Sequence, residues 1–180
     1  DVADDARVGA MLIGPGLGRT DAARAQMEQV LATAYALVLD ADALILLTPE
    51  ERDALGKRAK PVILTPHEGE FSTVFGALDG SKVDRARAAA AQSGAVVVLK
   101  GADTVIAAPD GRSVIAPAAS GWLASAGTGD VLAGLCVAQL ASGQDAFDAA
   151  CTAVWLHAEA ARLAGPALIA DDLPEFLPQA

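Results

Sequence analysis

The sequence predicts an α/β fold with a mostly parallel sheet, helices on both of its faces, and an antiparallel hairpin toward the C-terminus. Short apolar runs alternate with longer segments of helical spacing, which is the pattern of strand–helix–strand units. The run at 95–99 is apolar throughout, as expected of a strand that is buried on both faces. The Pro-Asp-Gly-Arg sequence at 109–112 separates two short runs and predicts the hairpin turn.

The first half of the chain is predicted to contain three strands. The run 8–13 is the first, and a glycine-rich turn leads from it into a helix over 20–34 with Thr20 or Asp21 as N-cap. The run 35–39 is the second strand. Residues 43–47 fit either type of structure, and Pro49 then opens a short helix that reaches residue 57. The run 61–65 is the third strand, and a short helix over 71–75 follows.

The second half begins with a helix over 81–92, for which Ser81 is a plausible N-cap, and continues into the strand at 95–99. The two hairpin strands are predicted at 104–108 and 113–116. Helices over 130–142 and 145–164 follow, and the Gly-Pro pair at 165–166 ends the second of them. A short helix or tail from Asp171 completes the chain.

Length and composition predict a single domain over residues 1–180. Of the 180 residues 53% are hydrophobic and 20% are charged, so the chain can bury a sizeable core. The net charge is −10 and no run of Lys or Arg occurs, which argues against nucleic acid or an anionic membrane surface as a partner. Cys136 and Cys151 lie in apolar helical patterns and are expected to be small core residues.

Two features of the sequence predict a cytoplasmic location. No uninterrupted apolar run reaches the roughly 18 residues that a membrane span needs. The polar start at residues 1–7 lacks the basic and then apolar form of a signal peptide.

Glycines and polar residues follow four of the predicted strands, at 14–18, 40–42, 66–70 and 100–104. Ligands bind beyond the carboxyl ends of parallel strands, so these loops are expected to converge at one edge of the sheet. We expect the run Gly-Thr-Gly-Asp at 127–130, which leads into an apolar helix, to meet them there.

The turn formed by Gly127, Thr128, Gly129 and Asp130 is a candidate phosphate site. Its N–H groups lack helical partners and the helix dipole is positive at this end, so an anion is stabilised there. Asp130 would accept the proton of an attacking hydroxyl, a role that depends on its position because an aspartate is a weak base at neutral pH. A tight turn with a capping acid is the alternative interpretation.

The candidate residues in the other loops also have structural interpretations. Asp40 and Asp42 are explained most simply as helix caps, with contacts to Mg²⁺ or substrate as the alternatives. His67 lies beside Glu68 and Glu70 but lacks a third metal ligand at suitable spacing. We therefore expect His67 to form a hydrogen bond to a ligand, and we expect no metal held by protein side chains alone.

Two further polar residues lie in apolar surroundings. Lys100 follows the buried strand at 95–99, where its amine either reaches a phosphate or is simply solvated at the strand end. His157 lies in the middle of a helix beside Trp155 and Glu159 and is expected to be structural.

Five motifs occur together, in order, and span nearly the whole chain. They are Gly-Pro-Gly-Leu-Gly at 14–18, Asp-Ala-Asp-Ala-Leu at 40–44, Leu-Thr-Pro-His-Glu-Gly-Glu-Phe at 64–71, Val-Leu-Lys-Gly-Ala-Asp-Thr at 98–104 and Ala-Gly-Thr-Gly-Asp-Val-Leu-Ala-Gly at 126–134. The set resembles the ADP/ATP-dependent NAD(P)H-hydrate dehydratases, a ribokinase-like family that repairs hydrated nicotinamide cofactors. The histidine-containing motif is the most specific, whereas Gly-Thr-Gly-Asp is shared with sugar and vitamin kinases of the same fold.

The resemblance implies a ribokinase-like lyase that acts on NADHX and NADPHX. The substrate hydroxyl would be phosphorylated from ADP or ATP in the presence of Mg²⁺, with Asp130 as the base, and phosphate would then leave. The implied substrate contacts are Gly18, His67, Glu68, Gly69, Glu70 and Asp130. The implied nucleotide contacts are Lys100, Gly101, Ala102, Asp103, Thr104, Gly127, Thr128 and Gly129, together with the loop 120–129.

The resemblance also implies a homo-oligomer, with a tetramer as one option, for which the apolar helix around Trp155 offers a surface. The sequence departs from the family pattern in two places. It begins just before the first glycine motif, where the family has a further N-terminal segment, so we expect an N-terminally incomplete domain. It also has Trp122 where the family has glycine, and this indole would either crowd the nucleotide loop or stack on a base.

Two other functions fit the same motifs. One is a small-molecule kinase on the same fold, acting on a vitamin or a sugar, which would release a stable phosphorylated product. The other is a nucleotide-binding module without catalysis.

Overall fold

A computed structural model describes residues 8–117 and 119–180, so the predicted polar start at 1–7 lies outside the described residues. The sheet has six strands whose spatial order is their order along the chain. They are β1 (Ala10–Ile13), β2 (Ala36–Leu39), β3 (Val62–Leu64), β4 (Val96–Leu99), β5 (Val105–Ala107) and β6 (Ser113–Ile115). Strands β1 to β4 are parallel, and β4, β5 and β6 pair antiparallel. The predicted mostly parallel sheet with its hairpin is confirmed.

Helices fill the connections between the parallel strands and the segment after the hairpin. They are α1 (Asp21–Leu31), α2 (Asp42–Leu46), α3 (Pro49–Ala54), α4 (Glu68–Phe75), α5 (Lys82–Ser93), α6 (Thr128–Ala141), α7 (Ala146–Ala164) and α8 (Leu173–Phe176). Helix α2 covers most of residues 43–47, whose periodicity fitted either a helix or a strand. None of the helices in the described ranges combines the length and the apolar character that a membrane span requires.

The two faces of the sheet carry separate cores. Alternate strand residues point to opposite faces, so Leu37 and Leu39 join one core while Ala36 and Val38 join the other. The first core is covered by helices α1 to α5. The connections from β1 to β2, from β2 to β3 and from β3 to β4 each cross to the next strand on the same side. Such crossovers are almost always right-handed, so the helices in all three lie on the same face of the sheet. Helices α6 and α7 cover the other face.

Helix α1 ends at Leu31 rather than at residue 34, so the predicted C-terminal end was wrong. The guanidinium of Arg58 lies at this end of the helix. It donates to the carbonyl of Leu31, and its Nη2 donates to the carbonyls of Thr33 and Tyr35 at 2.8 and 2.9 Å. The last carbonyls of a helix have no hydrogen-bond partner within the helix. Arg58, 27 residues after Leu31, supplies donors to the carbonyls at this end of α1.

The predicted N-caps are present where the sequence indicates them. The hydroxyl of Thr20 accepts a hydrogen bond from the N–H of Ala23 at 3.2 Å, and that of Ser81 accepts one from the N–H of Asp84 at the same distance. Both helices begin at the residue after the cap. Helix α6 begins two positions before the predicted start, at Thr128, because Gly127 at φ +85° takes the cap position.

Candidate active site

The loops after β1 to β4 meet at the carboxyl edge of the sheet, as the sequence predicted. Gly14, at φ +138°, passes so close to β2 that a Cβ on it would lie 1.7 Å from the carbonyl oxygen of Asp40. The N–H of Gly18 donates to Asp42 Oδ2 at 2.9 Å, and the N–H of Lys100 donates to the carbonyl of Pro66 at 2.8 Å. A side chain at Gly14 would therefore separate the first two loops.

Asp40 and Asp42 do not cap a helix, so the interpretation of both residues as caps was wrong. Helix α2 starts after Ala41, which has a φ of +48° and receives no side-chain cap. Asp42 accepts hydrogen bonds from Arg19 and from the Gly18 N–H, and these partners hold the pKa of its carboxyl below the ordinary value. Asp40 points instead into the site.

A buried carboxylate holds the ammonium of Lys100. The Nζ atom of Lys100 lies 2.8 Å from Asp40 Oδ1, and the side chain of Asp40 is only 2% exposed. The hydroxyl of Thr65 donates to the same oxygen at 2.8 Å. A second carboxylate, that of Glu70, lies 3.8 Å from the Nζ atom. The amine is therefore placed between two acids and is not a freely solvated strand-end lysine.

His67 begins α4 and organises the next loop. Its Nδ1 atom accepts the N–H groups of Gly69 and Glu70 at 3.0 and 3.1 Å, while the carboxylate of Glu70 accepts the N–H of His67 at 2.8 Å. Because Nδ1 is an acceptor, the neutral ring carries its proton on Nε2, which lies 3.4 Å from Glu70 Oε1. The ring of His67 is exposed.

The turn before α6 lies beside Lys100. A Cβ on Gly129 would lie 3.4 Å from the Nζ atom of Lys100, so the amine and the start of the helix are neighbours. Asp130 is exposed in the first turn of α6, and its carboxylate has no hydrogen bond or ion pair within the part of the chain that the structure describes. The N–H groups of Thr128 and Asp130 donate to the carbonyls of Ser125 and Gly127 at 3.5 and 3.1 Å, whereas the N–H of Gly129 has no acceptor among the described residues. The turn therefore combines one available N–H group, a nearby cation and a free carboxylate.

Helix α7 supports this turn. His157 Nε2 lies 2.9 Å from the carbonyl oxygen of Thr128, and burial lowers the pKa of the imidazole. The hydroxyl of Thr128 lies 2.7 Å from the carbonyl oxygen of Leu123 and 2.9 Å from that of Ser125. His157 was expected to be structural, and in the structure it forms a hydrogen bond with the backbone of Thr128, the first residue of α6.

A cavity of about 480 Å³ lies between these elements. It is lined by seven of the predicted site residues: His67, Lys100, Gly101, Ala102, Thr104, Thr128 and Gly129. The remaining predicted residues do not line it: Gly18, Glu68, Gly69, Glu70, Asp103, Gly127 and Asp130. Asp130 follows Gly129 directly in the first turn of α6, so it is next in sequence to the cavity lining.

Two of the predicted contacts have their charges engaged elsewhere. Both oxygens of Glu68 accept from the guanidinium of Arg85 at 2.9 Å, and this partner holds the pKa of Glu68 below its ordinary value. The carboxylate of Asp103 pairs with Lys82 at 2.8 Å, which lowers its pKa as well. Each side chain contributes to the loop's shape through an exposed ion pair.

Sequence reasoning missed part of the cavity wall. Leu132, Val154, His157 and Ala158 line it from helices α6 and α7, although only loop residues were predicted to face the ligand. The spacing of Val154, His157 and Ala158 places them on one face of α7, which is the signal that was available in the sequence.

A larger apolar groove of about 720 Å³ adjoins the cavity. Its walls include Val114, Trp122 and Trp155, which are 42%, 48% and 57% exposed. We call this surface the tryptophan groove. Trp122 lines the groove and does not line the smaller cavity, so it does not crowd the space beside Lys100.

The charged residues of the site do not form a metal centre by themselves. Within residues 8–117 and 119–180, no group of three His, Cys, Asp or Glu residues is arranged to hold a metal ion.

Comparison with known proteins identifies the family of this chain. Residues 2–175 match the NAD(P)H-hydrate dehydratase family. The chain belongs to this family.

Relatives within the family differ in length. The chain is 38% identical over 179 residues to the ADP-dependent (S)-NAD(P)H-hydrate dehydratase of Bacillus subtilis, an alignment that covers 94% of the chain and 63% of that relative. It is 40% identical over 179 residues to the bifunctional NAD(P)H-hydrate repair enzyme Nnr of Salinibacter ruber, covering 94% of the chain and 33% of the relative. The chain thus spans about a third of the second protein and less than two thirds of the first.

Solved structures agree with the fold. The ADP/ATP-dependent NAD(P)H-hydrate dehydratase of Bacillus subtilis, co-crystallised with ATP and Mg²⁺ and soaked with CoA, superposes with a TM-score of 0.83 at 38% identity. That match covers 94% of this chain and 64% of the other. A ribokinase-like superfamily protein of Enterococcus faecalis gives a TM-score of 0.81 at 26% identity, covering 94% and 61%. The fold of this family member is therefore ribokinase-like, as the motifs predicted.

Proposed function

We propose that the protein is a nucleotide-dependent dehydratase that converts (S)-NAD(P)H hydrate, NADHX or NADPHX, into NADH or NADPH. The observation that carries this proposal is the free carboxylate of Asp130 in the first turn of α6, next in sequence to Gly129, which lies beside the ammonium of Lys100 and lines a cavity that His67 also lines. A proton acceptor, a cation and the available N–H of Gly129 at a helix N-terminus together suit transfer of a phosphoryl group to a hydroxyl.

In the first step the hydroxyl of the hydrate becomes a phosphate ester. Asp130 accepts the hydroxyl proton while the oxygen bonds to the terminal phosphorus of the nucleotide, and the bridging oxygen leaves with the shortened nucleotide. Lys100, the N–H of Gly129 and the positive end of the α6 dipole stabilise the negative charge on the transferred group. Asp130 suits this role because no side-chain partner among the described residues competes for its carboxylate.

In the second step phosphate leaves the ring carbon with the electrons of the C–O bond. A proton is lost from the neighbouring carbon, and the ring double bond of NAD(P)H is restored. Phosphorylation therefore converts a poor leaving group, hydroxide, into a good one. We assign His67 and the turn after it to the hydrate, because the exposed imidazole of His67 is a polar ring in the cavity wall.

The cavity suits the phosphate end of an adenine nucleotide. Lys100, the Gly101–Thr104 turn and the start of α6 line one continuous space. Mg²⁺ bound to the nucleotide would neutralise phosphate charge, and its usual ligands of phosphate oxygens, waters and one or two carboxylates need no three-residue protein site. The relative from Bacillus subtilis is named for ADP, and its structure was obtained with ATP, so either nucleotide is a candidate donor here.

The decisive experiment mixes the purified protein with Mg²⁺, either ADP or ATP, and freshly prepared hydrated NADH or NADPH. We expect the near-ultraviolet absorbance of the reduced nicotinamide to return, with one inorganic phosphate released for each hydrate consumed. A phosphorylated product that accumulates without loss of the hydroxyl would instead indicate a kinase. Tight nucleotide binding with no turnover would indicate a binding module, and either result would overturn the proposal.

We also propose that the protein forms a homo-oligomer through the tryptophan groove, with a tetramer as one possible outcome. Exposed tryptophans concentrated in one apolar groove are typical of a protein–protein interface. A cytoplasmic location stays a prediction from the sequence.

A further inference from the structure

The amine of Lys100 is held by a carboxylate, that of Asp40, which the family resemblance does not name as a ligand contact. Asp40 is 1% exposed as a whole residue, yet it reaches Lys100 Nζ at 2.8 Å. The hydroxyl of Thr65, which is also fully buried, donates to the same carboxylate oxygen. These contacts connect the ends of β2, β3 and β4 and place one cation at the mouth of the cavity.

A lysine side chain loses considerable rotamer freedom when its amine is fixed. The bond to Asp40 imposes that restriction within the protein itself, before a nucleotide arrives. It fixes the amine beside Gly129, at the start of α6, where phosphate is expected. Lys100 is consequently preorganised for the transferred group.

We propose that Asp40, supported by Thr65, is a positioning residue that acts on phosphoryl transfer through Lys100. The inference rests on the proposed function only for the identity of the acceptor. A negative charge close to Lys100 opposes the binding of a polyanionic nucleotide in the ground state. The benefit of Asp40 therefore lies in the transition state, so its removal affects kcat more than the nucleotide KM.

The competing explanation is that the three residues only tie the strand ends together. In that case removal of Asp40 lowers the stability of the protein, while the molecules that stay folded keep their normal kcat and KM. A kinetic measurement normalised to folded protein separates the two explanations.

The test compares Asp40→Asn, Thr65→Val and Thr65→Ser. The matched control is Ser93→Ala, which removes a buried hydroxyl bonded at 2.8 Å to the carbonyl of Ala89, near the opposite end of β4. For each protein we would measure the unfolding midpoint, the nucleotide KM, and phosphate release from ADP and ATP with and without hydrate. Release without hydrate reports transfer to water.

We expect Asp40→Asn to lower kcat for phosphate release by at least about tenfold, with the nucleotide KM changed by less than about threefold. Thr65→Val should act in the same direction but less strongly, and Thr65→Ser should restore most of the rate because it keeps the donor. Ser93→Ala should lower the unfolding midpoint and leave kcat per folded protein unchanged.

Double substitutions identify the route of the effect. In a Lys100→Met background, Asp40→Asn should cause little further loss of kcat, because the residue it acts through is gone. An undiminished further loss would overturn the inference, as would a normal kcat in Asp40→Asn alone.

The same measurements distinguish failure of this inference from failure of the proposed function. If the wild-type protein releases phosphate but leaves the hydrate unchanged, the dehydratase proposal fails, while the Asp40 inference is still decided by phosphate release. A wild-type protein that neither releases phosphate nor consumes nucleotide under either condition would overturn both.

Discussion

At the scale of single residues, the two aspartates Asp40 and Asp130 have opposite surroundings. Asp40 is buried and engages the lysine and Thr65 directly, which leaves it unsuited to accept a proton from a substrate. Asp130 is exposed at a helix start and has no side-chain partner among the described residues. We therefore propose charge placement for Asp40 and proton acceptance for Asp130.

Replacing Asp130 by Asn removes the proton acceptor and keeps the side chain's size. We expect the rate of hydrate-dependent turnover to fall by about 10²–10⁴-fold, the usual contribution of a general base, while nucleotide binding is retained. Steady-state kinetics and calorimetric titration with ADP would measure the two effects.

The control is Asp148→Asn, which removes a carboxylate from the first turn of α7 and so alters a helix start in the same way, away from the cavity. Turnover by Asp130→Asn as fast as by this control would show that Asp130 is only a favourable charge at the helix start.

His157 links the stability of the protein to pH. Burial lowers the pKa of His157 in the folded protein, whereas in the unfolded chain it is about 6.5. As the pH falls below the pKa of His157 in the unfolded chain, the imidazole is protonated in the unfolded chain but stays neutral in the folded protein. The free energy of unfolding should therefore decrease between the two pKa values, by at most about 1.4 kcal/mol per pH unit.

Denaturant unfolding from pH 8 to about pH 5 would measure this decrease, using the ordinary histidine pKa as the guide to the range. His157→Gln removes the titrating group and should show a shallower loss than the wild type. His67→Gln, which removes the exposed histidine of α4, should keep the His157-linked loss. Identical pH profiles for wild type and His157→Gln would contradict the assignment.

At the scale of elements, one distant arginine pairs with the backbone carbonyls at the end of α1. Arg58 donates to three backbone carbonyls around the end of the helix, and burial lowers its pKa. Arg58→Met leaves these acceptors without their donor, and we expect a loss of about 1–3 kcal/mol in the free energy of unfolding. Arg58→Lys should recover only part of it, because an ammonium lacks the planar fork of donors.

Urea unfolding would measure these changes. Arg162→Met is the matched control, since Arg162 forms an exposed ion pair with Glu159 within α7, and exposed pairs of this kind contribute little to stability. Equal losses in Arg58→Met and Arg162→Met would show that the helix end does not depend on Arg58.

At the scale of the whole molecule, periodicity predicted the order of strands and helices because both faces of the sheet are buried. Strand β4, for example, is apolar at every position and every residue of it is buried. The end of α1 could not be predicted in the same way, since it depends on Arg58, which lies far away in sequence. Local patterns report local geometry, whereas this contact exists only in the assembled fold.

The site shows the same division. The Gly-Thr-Gly-Asp turn and the motif around His67 were recognisable from neighbouring residues. The pair of Asp40 and Lys100 is separated by 60 positions, and each residue alone had a simpler explanation as a cap or as a solvated lysine. The carboxylate of Asp40 acquires its role only when parallel pairing aligns the ends of β2 and β4.

The tryptophan groove is a property of the complete surface, and it leads to a prediction about assembly. We expect the wild-type protein to sediment as an oligomer in analytical ultracentrifugation. Trp155→Ser removes a large exposed side chain from the groove, and we expect the dissociation constant to rise by about 30-fold or more, as for a hot-spot tryptophan. Ile169→Ser is the control, because Ile169 is equally exposed, at 57%, but lies outside the groove. A monomeric wild type, or equal weakening by both substitutions, would exclude the groove as the interface.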